Sequence, residues 1–564
     1  MHRTWITTLT TSFLAVGSWA ATVKYDWEIT WVNASPDGFV RPVIGINGKW
    51  PCPVIEANVG DTIVVNLTNR LGNETTGLHF HGIKQTNTNF MDGAVGANQC
   101  PVPPNATFTY CFLADTPGTY WYHSHNMGQY PDGLRGPLII HDRHDPYSSY
   151  FDEDVTLTVS DWYHDESITL VRQMLQPNNT DFLIPTPDSV IVNEGRDGII
   201  YVEPGKSYRV RVINFSAFAA AFITFGDLPM NVIMTDGTYV EEETNIKQLR
   251  ITPAQRYDVI LNIGSNALGS NESSTLLPYL VVLDVNPDYT NTSAELDWPY
   301  NFTGALTQHH TPLDAKPVPL EVDSFDPFDD ARFAALDRQA AWGPVTAHWV
   351  LNFDFCADAN GIPRACFNGT TYLEQKVPTL YSAATLGRAN VQPSAYGQVN
   401  PFVARRGDVL EIVLNNHDPA LHPFHLHGHQ FQVIERPYSG AGDWRRTRAP
   451  PDVEAPVRRD TVGVFGNSYA VLRIVVDNPG VFLFHCHIEW HVEMGLTATL
   501  IEAPDRLVGY PIPQQHLDVC KSIGIPTSGN AAGHKAWWDH EGFVTVPPTV
   551  YNGSVRASRL SSAI

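Results

Sequence analysis

A chain of 564 residues with a formal net charge of −23 at pH 7 repels nucleic acid and anionic membrane surfaces, so neither is expected as a partner. Its length suits several domains, and no internal apolar run approaches the roughly 18–20 residues that span a bilayer. The seven cysteines are an odd number, so complete disulfide pairing would leave one thiol for another task.

The chain opens with a short basic end (His2, Arg3), a mildly apolar middle and Ser18-Trp19-Ala20 as a small-x-small cleavage site. This predicts a signal peptide over 1–20, the alternative being an amphipathic first element. Eleven Asn-x-Ser/Thr sequons, at Asn33, Asn66, Asn73, Asn105, Asn178, Asn214, Asn271, Asn291, Asn301, Asn368 and Asn552, agree with an exported glycoprotein, extracellular or associated with the cell wall.

From there to about residue 504, short β-branched or alternating runs such as DTIVVNLTN, GPLIIHD, YRVRVINF and YAVLRIVV are separated by Gly, Pro, Asn and Asp turn signals. That is the pattern of antiparallel sandwiches. GTYWYHSH followed by GPLIIHD near the start has a counterpart late in the chain, GVFLFHCH followed by GLTATLIEAP; the middle section ends its core in ITPAQRYDVILNI without a histidine pair. The predicted architecture is all-β, with related sandwiches over 21–145, 146–318 and 346–505 and metal chemistry in the first and third. An acidic linker with one short helix is expected over 319–345, and an extended tail over 506–564, tied down at Cys520. Cys356 and Cys366, ten residues apart, are expected to form a local bridge.

With 22 histidines in the chain, chance supplies roughly one His-x-His. The sequence has His79/His81 in LHFHG, His123/His125 in WYHSH, His485/His487 in FHCHIEWH, and His422, His425, His427 and His429 in HPFHLHGH. On a strand, side chains two apart share a face about 7 Å from each other. Each pair therefore offers two imidazoles able to reach different metal ions. A pH-sensitive cluster of unligated histidines is the alternative. Cys486, between His485 and His487, must point to the opposite face. One thiolate with two imidazoles, here His422 and His491, and a weak axial group is the blue-copper arrangement. The axial position falls on Leu496, which has no lone pair, while Met494 at helical spacing reads as core. Soft sulfur favours copper over calcium or magnesium.

The four histidine blocks, in this order and at these separations, resemble the multicopper oxidases from about residue 22 to 504. The resemblance implies three cupredoxin-like Greek-key sandwiches and four copper ions. It assigns the single normal copper to His79 and His425, and the coupled pair to His81, His123, His125, His427, His485 and His487. The blue copper falls to His422, Cys486 and His491. His429 matches no ligand. Asp92 in NFMDG and Glu489 in HCHIEWH resemble the family's proton suppliers for dioxygen reduction, although Asp92 also reads as a turn cap before Gly93. Similar oxidases join the equivalents of Cys100 and Cys520, which leaves Cys52 to Cys111 by elimination.

Within the family, WYHSH…GQYPDG, HPFHLHGH and HCHIEWH are similar to fungal laccases and to fungal iron-uptake ferroxidases. Asp418 matches one iron-binding acid of the ferroxidases. Where they open Glu-Pro-x-Pro-Asp-Ser with a second acid, this chain has Ile184. They also carry a membrane anchor after the third domain, and none is seen here. The expectation is a secreted, monomeric, laccase-like oxidase of small phenols, pigment or polyketide precursors included. Its pocket would lie at Ile184, Asp418 and His491, with Asp418 accepting the phenol's proton. The alternatives are a ferroxidase and a catalytically silent copper-binding glycoprotein.

Overall fold

The structure is a computed structural model that describes residues 20–546 apart from 197, 269–275, 286–299, 309–319, 321, 323 and 446–453. The signal peptide up to residue 19, the sequons at Asn271, Asn291 and Asn552 and part of the linker lie outside those residues. Alternation drives the architecture. Thr62–Asn69, TIVVNLTN, buries Ile63, Val65, Leu67 and Asn69 and turns the residues between them outward, as a strand with one face on a core must.

Six sheets form three successive pairs. In the first, Arg41–Ile46, Thr22–Ala34, Thr62–Asn69 and Thr107–Leu113 make one sheet; Ile55–Asn58, Arg135–His141, Gly118–Ser124 and Leu78–His81 make the other. The second and third pairs each set a six-stranded sheet with a five-stranded one, between Glu153 and Thr307 and between Ala347 and Glu502. One parallel contact recurs in all three: Thr22–Ala34 with Thr62–Asn69, Glu153–Trp162 with Ser207–Asn214, and Ala347–Ala357 with Val409–Asn416. The pairs are variations of one plan, the cupredoxin-like sandwich.

The interiors are not separate. One apolar cluster runs through the second and third sandwiches and takes in Trp121 and Tyr130 of the first. The rest of the first sandwich packs with Val519 and Cys520 of the tail. The tail is accordingly not extended: Pro504–Leu507 and Gln514–Ser522 are helical, and the second helix buries His516, Val519 and Cys520 on one side. The expected linker helix is a single 3-10 turn, Asp330–Arg332. Among the described residues no helix is long and apolar enough to cross a membrane.

Cys100 is bonded to Cys520 and Cys356 to Cys366. The pairing of Cys52 with Cys111 fails: both are free. Cys52 is buried with its Sγ 3.4 Å from the Gly133 carbonyl, whereas Cys111 lies opposite Val64 on the outward side of its strand. Elimination counts thiols without placing them. The sequon at Asn214 cannot carry a glycan in this fold, because its fully buried amide donates to the Ala219 and Ile251 carbonyls.

Candidate metal centres

Two strands of the first sandwich and two of the third bring the histidine pairs to one seam. Leu78–His81 runs antiparallel to Gly118–Ser124 with His79 opposite His123. His422–Leu426 runs antiparallel to Gly480–Cys486 with His425 opposite His485 and Phe424 opposite Cys486. The pairs His123/His125, His425/His427 and His485/His487 each divide between neighbouring sites. Ligand nitrogens of His81, His123 and His487 lie within 4.8 Å of one another; so do those of His125, His427 and His485, and those of His79, His81 and His425.

Burial, reinforced by the neighbouring imidazoles, pushes His81, His123, His427, His485 and His487 well below the ordinary imidazole range and His125 down to about 3. Neutral imidazole is the ligating form. In most of these rings one nitrogen is held by the protein. His79 Nδ1 donates to the Asp92 carbonyl at 2.7 Å, His123 Nδ1 to the Ser124 carbonyl at 2.9 Å and His425 Nδ1 to the Asp460 carbonyl at 2.9 Å. The inward nitrogens, His79 Nε2, His81 Nδ1, His123 Nε2, His125 Nε2 and His425 Nε2, are buried without a hydrogen-bond partner. Orphaned polar atoms in such number are costly unless a metal takes them.

On the other face of the same strand, Cys486 Sγ lies 3.8 Å from His422 Nδ1 and 3.7 Å from His491 Nδ1. Burial pushes this thiol up, and the Ile488 amide, 3.4 Å away, opposes that only in part. A thiolate here needs a metal cation beside it. Leu496 is fully buried and its carbonyl accepts the Cys486 amide at 3.1 Å; Met494 is part of the apolar core. His422 Nε2 points away from the sulfur to Asp418 Oδ1 at 3.0 Å, while Asp418 Oδ2 is buried without a hydrogen-bond partner. Ile184 is half-buried against the core. Two residues before it, the Phe182 ring lies 6.2 Å from that of Phe355, which is 5.1 Å from the His491 ring.

Asp92 both closes a turn and holds the cluster. Its amide bonds back to Asn89, and its Oδ2 accepts His427 Nδ1 at 2.8 Å. The next residue must be glycine: Gly93 has φ +89°, and a Cβ there would sit 1.7 Å from the Leu78 carbonyl oxygen. Glu489 opens the turn after His487 and lines a cavity of about 210 Å³ with His125, Asn126, Leu483 and Glu493. Burial, then Glu493, raises Glu489 well above the ordinary carboxyl range, and burial with Glu374 lifts Glu493 to about 7.

Three residues behind the histidines, Glu502, Asp460 and Arg256, escaped the sequence reading. His429 faces Glu502 at 2.8 Å. Asp460 accepts His81 Nε2 at 3.0 Å and is gripped by Arg256. Burial would raise the Asp460 carboxyl, but Arg256 and His81 more than reverse this and hold it well below the usual carboxylate range. Nothing in VRRDTV marks Asp460 locally.

Residues 28–145, 153–270 and 372–506 each match a family described as multicopper oxidase. The chain belongs to the multicopper oxidases. It is 45% identical to the iron transport multicopper oxidase fetC of Epichloe festucae, over 91% of this chain and 82% of that one. It is 42% identical, with the same coverage, to the iron transport multicopper oxidase FET3 of Gibberella zeae. Among solved structures it is similar to Fet3p, a multicopper oxidase that functions in iron import, with a TM-score of 0.85 and 35% identity over 91% of this chain and 97% of that one. The laccase from Botrytis aclada has a TM-score of 0.75 at 24% identity, covering 91% and 94%, a likeness of fold alone.

Multicopper oxidases hold four copper ions, one blue, one normal and a coupled pair, and the sulfur site and the orphaned nitrogens of this oxidase fit them. The relatives overturn the expected laccase-like phenol oxidase, and the pigment or polyketide precursor with it. That expectation weighed Ile184 as if it set the whole pocket. One absent carboxylate removes one ligand, whereas the likeness spans nine-tenths of the chain and Asp418 is in place beside His422.

Proposed function

We propose that this multicopper oxidase is a ferroxidase, oxidising iron(II) one electron at a time while reducing dioxygen to water. The likeness along 91% of the chain to iron transport multicopper oxidases carries this reading. Asp418 supports it. Its Oδ2 is a hard oxygen without a hydrogen-bond partner, suited to iron. Its Oδ1 meets His422 Nε2 at 3.0 Å, so a bound iron ion would stand one carboxylate away from the imidazole that receives its electron. The carboxylate's negative charge favours the ferric product over the ferrous substrate.

His422, Cys486 and His491, beside the buried Leu496, would hold the blue copper, and His79 and His425 the normal copper. The coupled pair goes to His81, His123 and His487 and to His125, His427 and His485. Copper in these donor sets supplies one-electron acceptance at the sulfur site and four-electron reduction of dioxygen at the cluster. Cys486 links the two, its sulfur in one and its sequence neighbours His485 and His487 in the other. Glu489, whose carboxyl burial shifts toward the protonated form, would supply a proton beside His125, and Asp92 would orient His79 and His427. Four iron(II), four protons and one dioxygen give four iron(III) and two water molecules. The two disulfides favour an exported location.

Oxygen uptake with iron(II) and with hydroquinone tests the reading. A higher kcat/KM for iron(II) is expected. A wide preference for hydroquinone would overturn it.

A further inference from the structure

One ring of the histidine cluster is turned the other way. His79, His123, His125 and His425 present unpartnered Nε2 atoms, whereas His81 presents Nδ1. The His81 Nε2 faces Asp460 Oδ1 at 3.0 Å and Thr461 Oγ1 at 3.3 Å. Thr461 donates its own proton to Asp460 Oδ1 at 2.9 Å, so both neighbours can only accept from His81.

Asp460 cannot turn away. Arg256 grips both its oxygens, Nη1 to Oδ1 at 2.8 Å and Nη2 to Oδ2 at 2.6 Å. Arg256 is itself fully buried and fixed, with Nε donating to the Thr119 carbonyl at 2.9 Å and its amide to Asp236 Oδ1 at 2.8 Å. It stands on Arg256–Asn262 of the middle sandwich, which carries none of the paired histidines. From the same sandwich, Gln255 Nε2 donates to the Thr461 carbonyl at 3.1 Å, and Asp236 binds Arg459 Nε at 2.9 Å. The middle sandwich thus clamps the segment on which His81 and His425 rest.

The geometry points to Asp460, locked by Arg256, as the positioning residue that keeps the His81 proton on Nε2 and so commits Nδ1 to the coupled copper pair. This rests on the assignment of His81 to that pair. Ligand-orienting acceptors of this kind set both ring direction and tautomer.

Removing Asp460 alone would strand a buried guanidinium, so the test compares two double variants in one background. Arg256→Met/Asp460→Leu abolishes the acceptor, while Arg256→Met/Asp460→Asn keeps an oxygen for His81; neither buries a lone charge. Copper per chain after chelator dialysis, the EPR-visible share of it and the blue absorption are read on the holoenzymes. Both variants are expected to stay blue. In the leucine variant the pair should hold copper about 10–100-fold more weakly, with loss of EPR-silent copper, and the asparagine variant should restore it. Equal behaviour of the two, whether both keep the pair or both lose it, would overturn the inference. A wild type lacking EPR-silent copper would refute the underlying assignment of the pair instead.

Discussion

Asp418 joins a hard, unpartnered oxygen to the imidazole of His422. Asp418→Asn keeps the shape and removes the charge. It is expected to lower kcat/KM for iron(II) by about 10–100-fold, the equivalent of roughly 1.5–3 kcal/mol for a charge-assisted contact, with the blue absorption intact. Steady-state oxygen uptake across an iron(II) series checks it. Ile184 offers the converse. Ile184→Glu introduces a carboxylate on the segment that reaches His491 through Phe182 and Phe355, and the KM for iron(II) should fall; an unchanged KM would place Ile184 away from the iron. The clustering of the histidines was legible from sequence because His-x-His is local: the strand that carries the pair fixes its geometry. Ile184 misled because a motif position was read as a pocket. The Asp460–Arg256 contact was illegible, its partners lying 204 residues apart on different sandwiches.

The same contrast holds for elements. Alternating runs announced the strands, and the spacing of His516, Val519 and Cys520 in QQHLDVCKS, three and four residues apart, carries a helical signal against the extended tail expected there. The linker turn Asp330–Arg332 had no such period, since its conformation is imposed by partners elsewhere. Asp330 lies 2.7 Å from Arg436 of the third sandwich and accepts the Tyr257 hydroxyl of the second at 3.0 Å. Burial would raise its carboxyl, but Arg436 and Arg459 outweigh burial and bring it down to about 2. The folded-state value is below the unfolded one of about 3.9, so the contribution is complete above pH ~4 and is lost as pH falls toward 2. Its size is on the order of 2 kcal/mol. Urea unfolding should find Asp330→Asn less stable than wild type at pH 5, with the gap narrowing as the pH falls through that window.

At the scale of the whole molecule, the Cys100–Cys520 bond spans 420 residues and fastens the C-terminal helix to the first sandwich, where His516 packs 4.1 Å from Phe108. It clasps the two bodies whose seam holds the histidine cluster. Cys520→Ala should cost about 2–5 kcal/mol, seen as a lower calorimetric midpoint. Copper should then leave the cluster at lower chelator concentrations than it leaves the sulfur site, which the third sandwich builds alone from His422, Cys486 and His491. This division sets an order in time during biosynthesis. The ribosome finishes His125 about 300 residues before it reaches His425, an interval of roughly 15–60 s at 5–20 residues per second. Throughout it the growing chain carries His79, His81, His123 and His125 alone, half of the eight paired imidazoles, with nothing yet opposite them. Copper delivered then would meet an incomplete cage, so loading of the cluster belongs to the finished chain and to whichever compartment that chain has reached.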